Sequence, residues 1–352
     1  MKILITGGCG FLGSNLASFF VKNKNQVFVV DSLERDGALI NLNWLKSQSE
    51  NQQLVFFKSD IINTNAINSF FKEHAPFDFI CHVAGQVAMT TSINNPRKDF
   101  ETNALGTFNI LEAARKFSPK SLIAYSSTNK VYGDLDWVKT IEDDTRYKLK
   151  NYKYGLDESI PLDFTTPYGC SKGSADQYVK DWAKVYGMKT VVFRHSSIYG
   201  GRQFASINQG WIGWFCLKAL EQKIATNNNQ EIIPFTISGS GKQVRDVLHA
   251  QDLVDLYCCA YENKDDLDGQ IFNIGGGYKN SLSLLELFDF LKKELSLKEL
   301  KFTKIKRRNS DQDCFIADIS KAKKLLNWSP NITYKDGIRK MISWSKNILK
   351  FN

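Results

Sequence analysis

The stretch KILITGGCGFLG (2–13) decides the fold. KILIT is a short apolar run of the kind that forms a buried strand. It passes without a spacer into three glycines, Gly7, Gly10 and Gly13, and then into the helical pattern LGSNLASFFVKN (12–23). Glycine permits a tight turn and brings backbone N–H groups close to a phosphate at the start of a helix. Phe11 and Leu12 fall in that turn, so their backbone shares the site. Three spaced glycines alone also suit a plain strand-to-helix turn. The second strand, QVFVV (26–30), sharpens the reading, because it ends at Asp31, 18 residues beyond Gly13. A carboxylate there accepts the hydroxyls of an adenosine ribose and repels a 2′-phosphate. NAD is therefore expected over NADP, although Arg35 lies near enough in sequence to meet a phosphate.

Outward from this turn, apolar runs and amphipathic runs alternate. LVFF (54–57), FDFICHV (77–83), SLIAYS (121–126), TVVFRH (190–195) and IFNIG (271–275) read as strands, and GTFNILEAARKF (106–117) reads as a helix. The alternation predicts an α/β fold: a Rossmann-type, doubly wound parallel sheet with helices on both faces. Residues 1–196 are expected to form the nucleotide-binding domain, with the chain returning to it around 245–275. Residues 197–352 supply most of a smaller α/β lobe that binds substrate. Ligands of such sheets collect at the carboxyl ends of the strands. That places Asp60 and Ile61 beside an adenine and leaves room for cofactor at Ala84 and Gly85.

The chain has 352 residues, a net charge of +9 and seven cysteines. Its basic residues are scattered apart from KFTKIKRR (301–308), which argues against nucleic acid. The cysteines show no metal-ligand or disulfide spacing. No apolar run is long enough to span a membrane, and the N-terminal stretch lacks a signal-peptide pattern. A cytoplasmic protein with no metal and no membrane partner is expected.

TTPYGCSK (165–172) places Tyr168 and Lys172 four residues apart, on one face of a helix. YSSTNKVYG (125–133) brings Ser126, Ser127 and Thr128 to a strand end. A free tyrosine, with a pKa near 10, is a poor base at neutral pH. An ammonium and a positive nicotinamide ring beside it both favour the phenolate. Tyr168 then removes a hydroxyl proton while hydride leaves the same carbon for NAD. Thr128 holds the substrate oxygen in line.

The glycine turn, Asp31, YSST and YGCSK, in that order, resemble the extended short-chain dehydrogenase/reductase family of nucleotide-sugar epimerases and dehydratases. So do NALGTFNILEAA (103–114), GKQVRDVLHAQDLV (241–254), IFNIGGG (271–277) and ADISKAKKLLNWSP (317–330). The resemblance implies Tyr168 as base, Lys172 as partner to the phenol and the cofactor ribose, and Thr128 as the hydroxyl. It implies Arg245 and Arg308 on the substrate diphosphate, Asn103 as a support of the site, and pairing of the helices near 106–117 and 171–186 in a homodimer or homotetramer.

Departures narrow the activity. The family's 4,6-dehydratases carry an Asp–Glu pair where this chain has Asn129 and Lys130, which disfavours dehydration. Ser197 stands where many uridine-sugar 4-epimerases have Asn. GQVAMTTSINNP (85–96), LDFTTPYGCSKGSADQY (162–178), QGWIGWF (209–215) and FTISGSGKQVRDVLHAQD (235–252) resemble a branch that inverts carbon 2 of a CDP-hexose through a transient 2-keto sugar. Candidate substrate contacts are Gln86, Thr90, Ser92, Thr128, Asn129, His195, Gln209, Arg245 and Arg308. Gln86, Thr90 and Ser92 are equally suited to loop and cap hydrogen bonds, a lone His195 is equally suited to a structural place, and Trp211 and Trp214 suit either the pocket or the core. Which CDP-hexose is turned over stays open, as does a nucleotide-sugar reductase with the same residues.

Overall fold

The computed structural model describes residues 1–49, 53–307 and 311–351, the last two of these without their side chains. Seven strands form the main sheet: β1 (Lys2–Thr6), β2 (Gln26–Asp31), β3 (Leu54–Lys58), β4 (Phe79–His82), β5 (Leu122–Thr128), β6 (Thr190–His195) and β7 (Gln270–Ile274). Their order is β7-β6-β5-β4-β1-β2-β3, and every neighbouring pair is parallel. The chain winds outward from β1 in one direction through β2 and β3, then resumes on its other side with β4. The crevice at that switch, at the carboxyl ends of β1 and β4, is where ligands of such sheets bind.

Helices cover both faces. On one lie α1 (Phe11–Lys22), α2 (Ala38–Gln48) and, later in the chain, Ala250–Glu262; Leu16, Phe20 and Leu253 bury against Ile3, Ile5 and Val29. On the other lie α3 (Thr64–His74), α4 (Gly106–Phe117) and α5 (Thr166–Tyr186), whose Phe70, Ile110 and Val179 bury against Leu4, Ile80 and Ile123. Central strands are thus apolar on both sides, which explains their continuous rather than alternating hydrophobic pattern.

The second lobe is built on Val244–His249. This strand pairs in parallel with Ser197–Tyr199 and Cys314–Phe315, and antiparallel with Ser281–Ser283. Helices Trp211–Asn227, Leu284–Leu295 and Tyr334–Phe351 pack on it. Leu284–Leu295 starts with a full capping box between Ser283 and Glu286, as its sequence suggests. The lobes meet at Gly201–Phe204. Asn15 and Asn41 donate to the carbonyls of Gly201 (3.0 Å) and Arg202 (3.2 Å). The Arg202 guanidinium lies between the rings of Trp44 (3.9 Å) and Trp344 (4.8 Å).

The glycine turn is close-packed. Gly7 has φ +69°, and a Cβ there would come within 2.7 Å of Ala84 Cα. A Cβ on Gly13 would lie 2.2 Å from Gly7 O, so α1 can leave β1 at this angle only if residue 13 has no side chain. Gly13→Ala is expected to cost about 2 kcal/mol, the usual scale for overpacking, as a lower urea midpoint followed by circular dichroism. An unchanged midpoint would mean that the turn relaxes freely.

Candidate active site

Asp31, Thr128 and His195 stand at or next to the carboxyl ends of the main-sheet strands β2, β5 and β6. In the glycine turn, Gly10 N donates to Gly7 O (3.0 Å), and α1 begins with no side chain capping its N–H groups. The first N–H groups of a helix have no partner within it, so the backbone of Phe11, Leu12 and Gly13 offers donors to an anion. Asp31 at the end of β2 accepts from Cys9 N (2.9 Å) and Leu33 N (2.8 Å), one oxygen each. Each oxygen keeps a lone pair for a ribose hydroxyl. Burial raises the Asp31 pKa, against those hydrogen bonds and nearby Arg35.

Asp60 caps its own turn, with Oδ1 accepting from Ile62 N at 3.1 Å. Ile61 is buried against Gly106, where a Cβ would meet its Cδ1 at 2.6 Å. Ala84 backs directly on Gly7. Gly85 leaves open the space beside Lys172: a Cβ there would sit 2.9 Å from Asn103 Oδ1 and 3.6 Å from Lys172 Nζ. Uncapped helix N–H groups, a carboxylate at the end of β2 and a side-chain-free floor at 84–85 fit a dinucleotide lying across the switch point.

Tyr168 and Lys172 lie in the first two turns of α5, which has Pro167 in its opening turn. Burial pushes the Tyr168 phenol up to about 12, with Asp99 adding to the rise; the neighbouring Thr128 side chain and Arg35 oppose it. Burial lowers Lys172 to about 7, opposed by Asp176 and Asp99. Lys172 Nζ donates to Ser126 O at 2.5 Å and lies 4.3 Å from the centre of the Tyr125 ring. Lys172 Nζ is turned toward the strand carbonyl of Ser126.

Several sequence candidates are committed elsewhere. The Gln86 side chain folds back onto its own loop, bonding Ala88 and donating to Asp99 Oδ1 (2.8 Å). Ser92 is fully buried and donates to Met89 O (2.7 Å). These two side chains hold the loop. The Thr90 hydroxyl is buried with no partner among the described residues. Asn129 donates to Gln312 Oε1 (3.0 Å), and Gln312 donates in turn to Gly133 O (2.6 Å). Arg245 is ion-paired with Asp311 (2.7 Å) and also donates to Gln312 O (2.9 Å). It is therefore no free guanidinium, and a phosphate must share it with Asp311. Gln209 lies in a tight turn, its N donating to Ser206 O (3.1 Å). Trp211 donates to Ser197 Oγ (3.1 Å) and, like Trp214, packs half-buried on the lobe core. Arg308 lies outside the described residues.

His195 ends β6, level with Thr128 on β5. Both ring nitrogens are buried without a partner among the described residues. Burial, and then Lys172, drives its pKa down to about 3, so the ring is neutral. Asn103 lies in a wide π-type turn, Glu101–Leu105, that joins onto α4. It accepts from Gln86 N (2.8 Å) and donates to Gln86 O (3.0 Å) and Ser171 Oγ (3.0 Å).

Sequence reasoning passed over Asp99, Ser171, Asp176, Arg194 and Gln312. Asp176 on α5 accepts two hydrogen bonds from Arg194 of β6 (2.8 and 2.9 Å) and one from Ser127 of β5 (2.7 Å), all buried. Only the repetition of charge inside apolar segments, as in TVVFRH and GSADQY, could have marked that pair. Among the described residues no group of His, Cys, Asp and Glu could hold a metal, and no helix is long and apolar enough to cross a membrane.

A Rossmann-type sheet with a tyrosine–threonine–lysine cleft at the switch-point edge defines a short-chain dehydrogenase/reductase. The model of the family described as GDP-mannose 4,6 dehydratase matches residues 4–341, and the chain belongs to that family of nucleotide-sugar epimerases and dehydratases. It is 53% identical to CDP-paratose 2-epimerase of Salmonella typhi, over 99% of this chain and 100% of the relative. It is 32% identical to dTDP-glucose 4,6-dehydratase of Shigella flexneri, over 98% of this chain and 92% of the relative. Among solved structures it is similar to a Thermotoga maritima UDP-glucose 4-epimerase with UDP-glucose, with a TM-score of 0.82, 26% identity, and 99% and 100% of the two chains covered. It is also similar to a Bacillus cereus UDP-glucuronic acid 4-epimerase in complex with UDP-glucuronic acid and NAD, with a TM-score of 0.80, 26% identity, and 99% and 100% covered.

Asp176→Ala strands the Arg194 charge inside the protein. It should cost about 3 to 5 kcal/mol, as removing one partner of a buried pair does. Chemical denaturation measures this, and a loss under about 1 kcal/mol would mean that water reaches Arg194.

Proposed function

We propose that this chain is an NAD-dependent 2-epimerase of a CDP-hexose, converting CDP-paratose to CDP-tyvelose. The observation that carries the chemistry is the Tyr168 phenol, buried at the strand edge near Thr128, with Lys172 one turn on. The relative with 53% identity over nearly all of both chains supports the sugar and the position inverted.

NAD held by Asp31, the backbone of Gly10 to Gly13 and the floor at Ala84 and Gly85 would supply a reversible hydride acceptor for sugar carbon 2. The chain's own residues manage the proton and the geometry. Tyr168 takes the proton of the carbon-2 hydroxyl and later gives it back, so net redox is zero. Thr128 hydrogen-bonds at the same oxygen and fixes its approach. A phenol pushed up to about 12 by burial is a poor base; positive charge in the cleft favours the phenolate. Lys172, held by Ser126 O, is that charge while it remains an ammonium. Asp31 takes the adenosine ribose, and the backbone from Gly10 to Gly13 takes the pyrophosphate. Asp60 and Ile61 flank the adenine, and Ala84 and Gly85 floor the cofactor. His195 and Thr90 carry buried polar atoms without a partner among the described residues, which suits them to contact ligand; Asn129, Gln209, Arg245 and Arg308 are the further candidates for the substrate. The 2-keto sugar must be kept from solvent while it turns over, which asks for a closed but roomy cleft.

We also infer a homodimer through α4 and α5. Tyr178, Val185 and Tyr186 are exposed along one face of α5, over Trp182 and Phe108. Arg115 of α4 lies over Tyr186 at 4.9 Å. The reaction is placed in the cytoplasm, where seven unpaired thiols stay reduced.

Proton NMR of purified protein with CDP-paratose and no added NAD should show CDP-tyvelose. Conversion of CDP-glucose alone would change the sugar and keep the mechanism. No reaction with either, even with NAD supplied, would remove the epimerase reading. Tyr168→Phe should lower turnover by about a thousandfold or more with NAD still bound, and retained turnover would remove Tyr168 as base. Val185→Asp should give a monomer in light scattering; a dimer in that variant would move the interface elsewhere.

A further inference from the structure

The helical turn Asn129–Tyr132 follows directly on Thr128, whose hydroxyl accepts from Lys130 N (3.2 Å) at its start. One side chain from the second lobe spans that turn. Gln312 is fully buried. Its Nε2 donates to Gly133 O (2.6 Å), just past the end of the turn, and its Oε1 accepts from Asn129 Nδ2 (3.0 Å), at the beginning. The backbone of the same residue serves the second lobe. Gln312 O accepts from the Arg245 guanidinium (2.9 Å), and the preceding Asp311 accepts from it as well (2.7 Å). This segment runs into Cys314–Phe315, which pairs with Val244 and Arg245. Gln312 therefore joins the turn after Thr128 to the arginine that is a candidate for the substrate diphosphate.

The direction of these bonds is forced. A backbone carbonyl only accepts, so Gly133 O requires the amino end of Gln312. The carbonyl end then faces Asn129, which must answer with its own amino group. That leaves Asn129 Oδ1 facing the Thr128 hydroxyl, at 3.5 Å. An ionised carboxylate at 129, where the family's dehydratases have an acid, would have no donor for Gln312 Oε1. Gly133 is held from its other side too: its φ is +68°, and a Cβ there would lie 2.4 Å from Asp163 O. Next to these bonds the junction is apolar. Tyr132 stacks on Phe315 with ring centres 6.2 Å apart, and Val131 is buried in the same cluster as Cys314 and Ile316. Apolar faces tolerate small slides, whereas a buried amide with both ends satisfied fixes one arrangement.

We propose that Gln312 is a positioning residue for the reaction: by joining the Thr128 turn to Arg245, it sets the distance from the diphosphate anchor to Tyr168 and so brings carbon 2, next to the carbon that bears the diphosphate, to the phenol. The assignment rests on the epimerase reading given above. Gln312 touches neither sugar nor cofactor in this role. It acts through Asn129 and the turn on one side and through Arg245 on the other.

The test compares Gln312→Leu and Gln312→Glu with wild type, all as full-length protein. Leucine fills the space with neither bond. Glutamate keeps the size and, ionised at about pH 8, the acceptor for Asn129, but it has no donor for Gly133 O. In both variants kcat on the CDP-hexose should fall by about a hundredfold, the scale of a reacting group misplaced by about 1 Å. CDP, which carries the phosphates and no sugar, should bind in calorimetry as it does to wild type, because Arg245 keeps its place beside Asp311. A kcat near the wild-type value in Gln312→Leu overturns the proposal. An equal loss of CDP binding also overturns it, since Gln312 would then support Arg245 alone. Should Gln312→Leu fail to fold, Gln312→Glu decides by the same two measurements. Exchange of the Asn129 side-chain amide protons with water, followed by NMR, does not depend on turnover. It should be slow in wild type and faster by about tenfold or more in Gln312→Leu, as for a buried bond that has been opened; fast exchange in wild type overturns the proposal. Slow exchange that Gln312→Leu releases, in a protein that epimerises nothing, would uphold the link and remove the epimerase reading instead.

Discussion

The site depends on one buried ion pair. Asp176 on α5 holds Arg194 of β6 with two hydrogen bonds and Ser127 of β5 with a third. Arg194 reaches on to the Tyr132 hydroxyl (3.0 Å), which donates to Asn273 of β7 (2.7 Å). Three strands and the helix that carries Tyr168 and Lys172 are thereby locked in one register. Desolvating two charges is expensive, and apolar side chains of the same volume would often be as stable. What the pair provides here is direction: hydrogen bonds fix the rotation of α5 about its axis, whereas apolar packing tolerates small rotations. A phenol and an ammonium one turn apart keep a fixed relation to Thr128 only if that rotation is fixed.

Around this lock the side chains are buried and few carry a charge. His82 is bonded on both sides, by Thr6 (2.6 Å) and Thr107 (2.9 Å), and burial drives it down to about 3. His195 is equally neutral but has no partner among the described residues. The protein therefore satisfies the histidine beneath the sheet edge and leaves the one at the edge to whatever enters the cleft. Low dielectric strengthens each remaining charge, so the few present, at Lys172, Asp99 and Arg35, govern the protonation of Tyr168.

Much of this was legible along the chain. β1, the glycine turn, Asp31 and the strands after them have local causes: continuous apolar runs, glycines where a Cβ collides, and a four-residue spacing on a helix. The family resemblance rested on the same stretches. Less legible were the residues whose side chains choose between a ligand and a neighbour. Gln86 and Ser92 stand in a loop at the right strand end, and each also bonds within that loop. Arg245, expected on the diphosphate, is paired with Asp311, a residue far away in sequence.

The sequence by itself determined the order of strands and helices, the dinucleotide turn and the tyrosine–lysine spacing, because each depends on contacts within a few residues. Only the tertiary structure decided the charge balance. Asp99, Asp176 and Arg194 are separated in sequence by up to 95 residues, and whether a carboxylate is buried, and which cation answers it, is a property of the three-dimensional surroundings alone. The protonation of Lys172 is set at that level, by burial against it and by Asp176 and Asp99 in its favour.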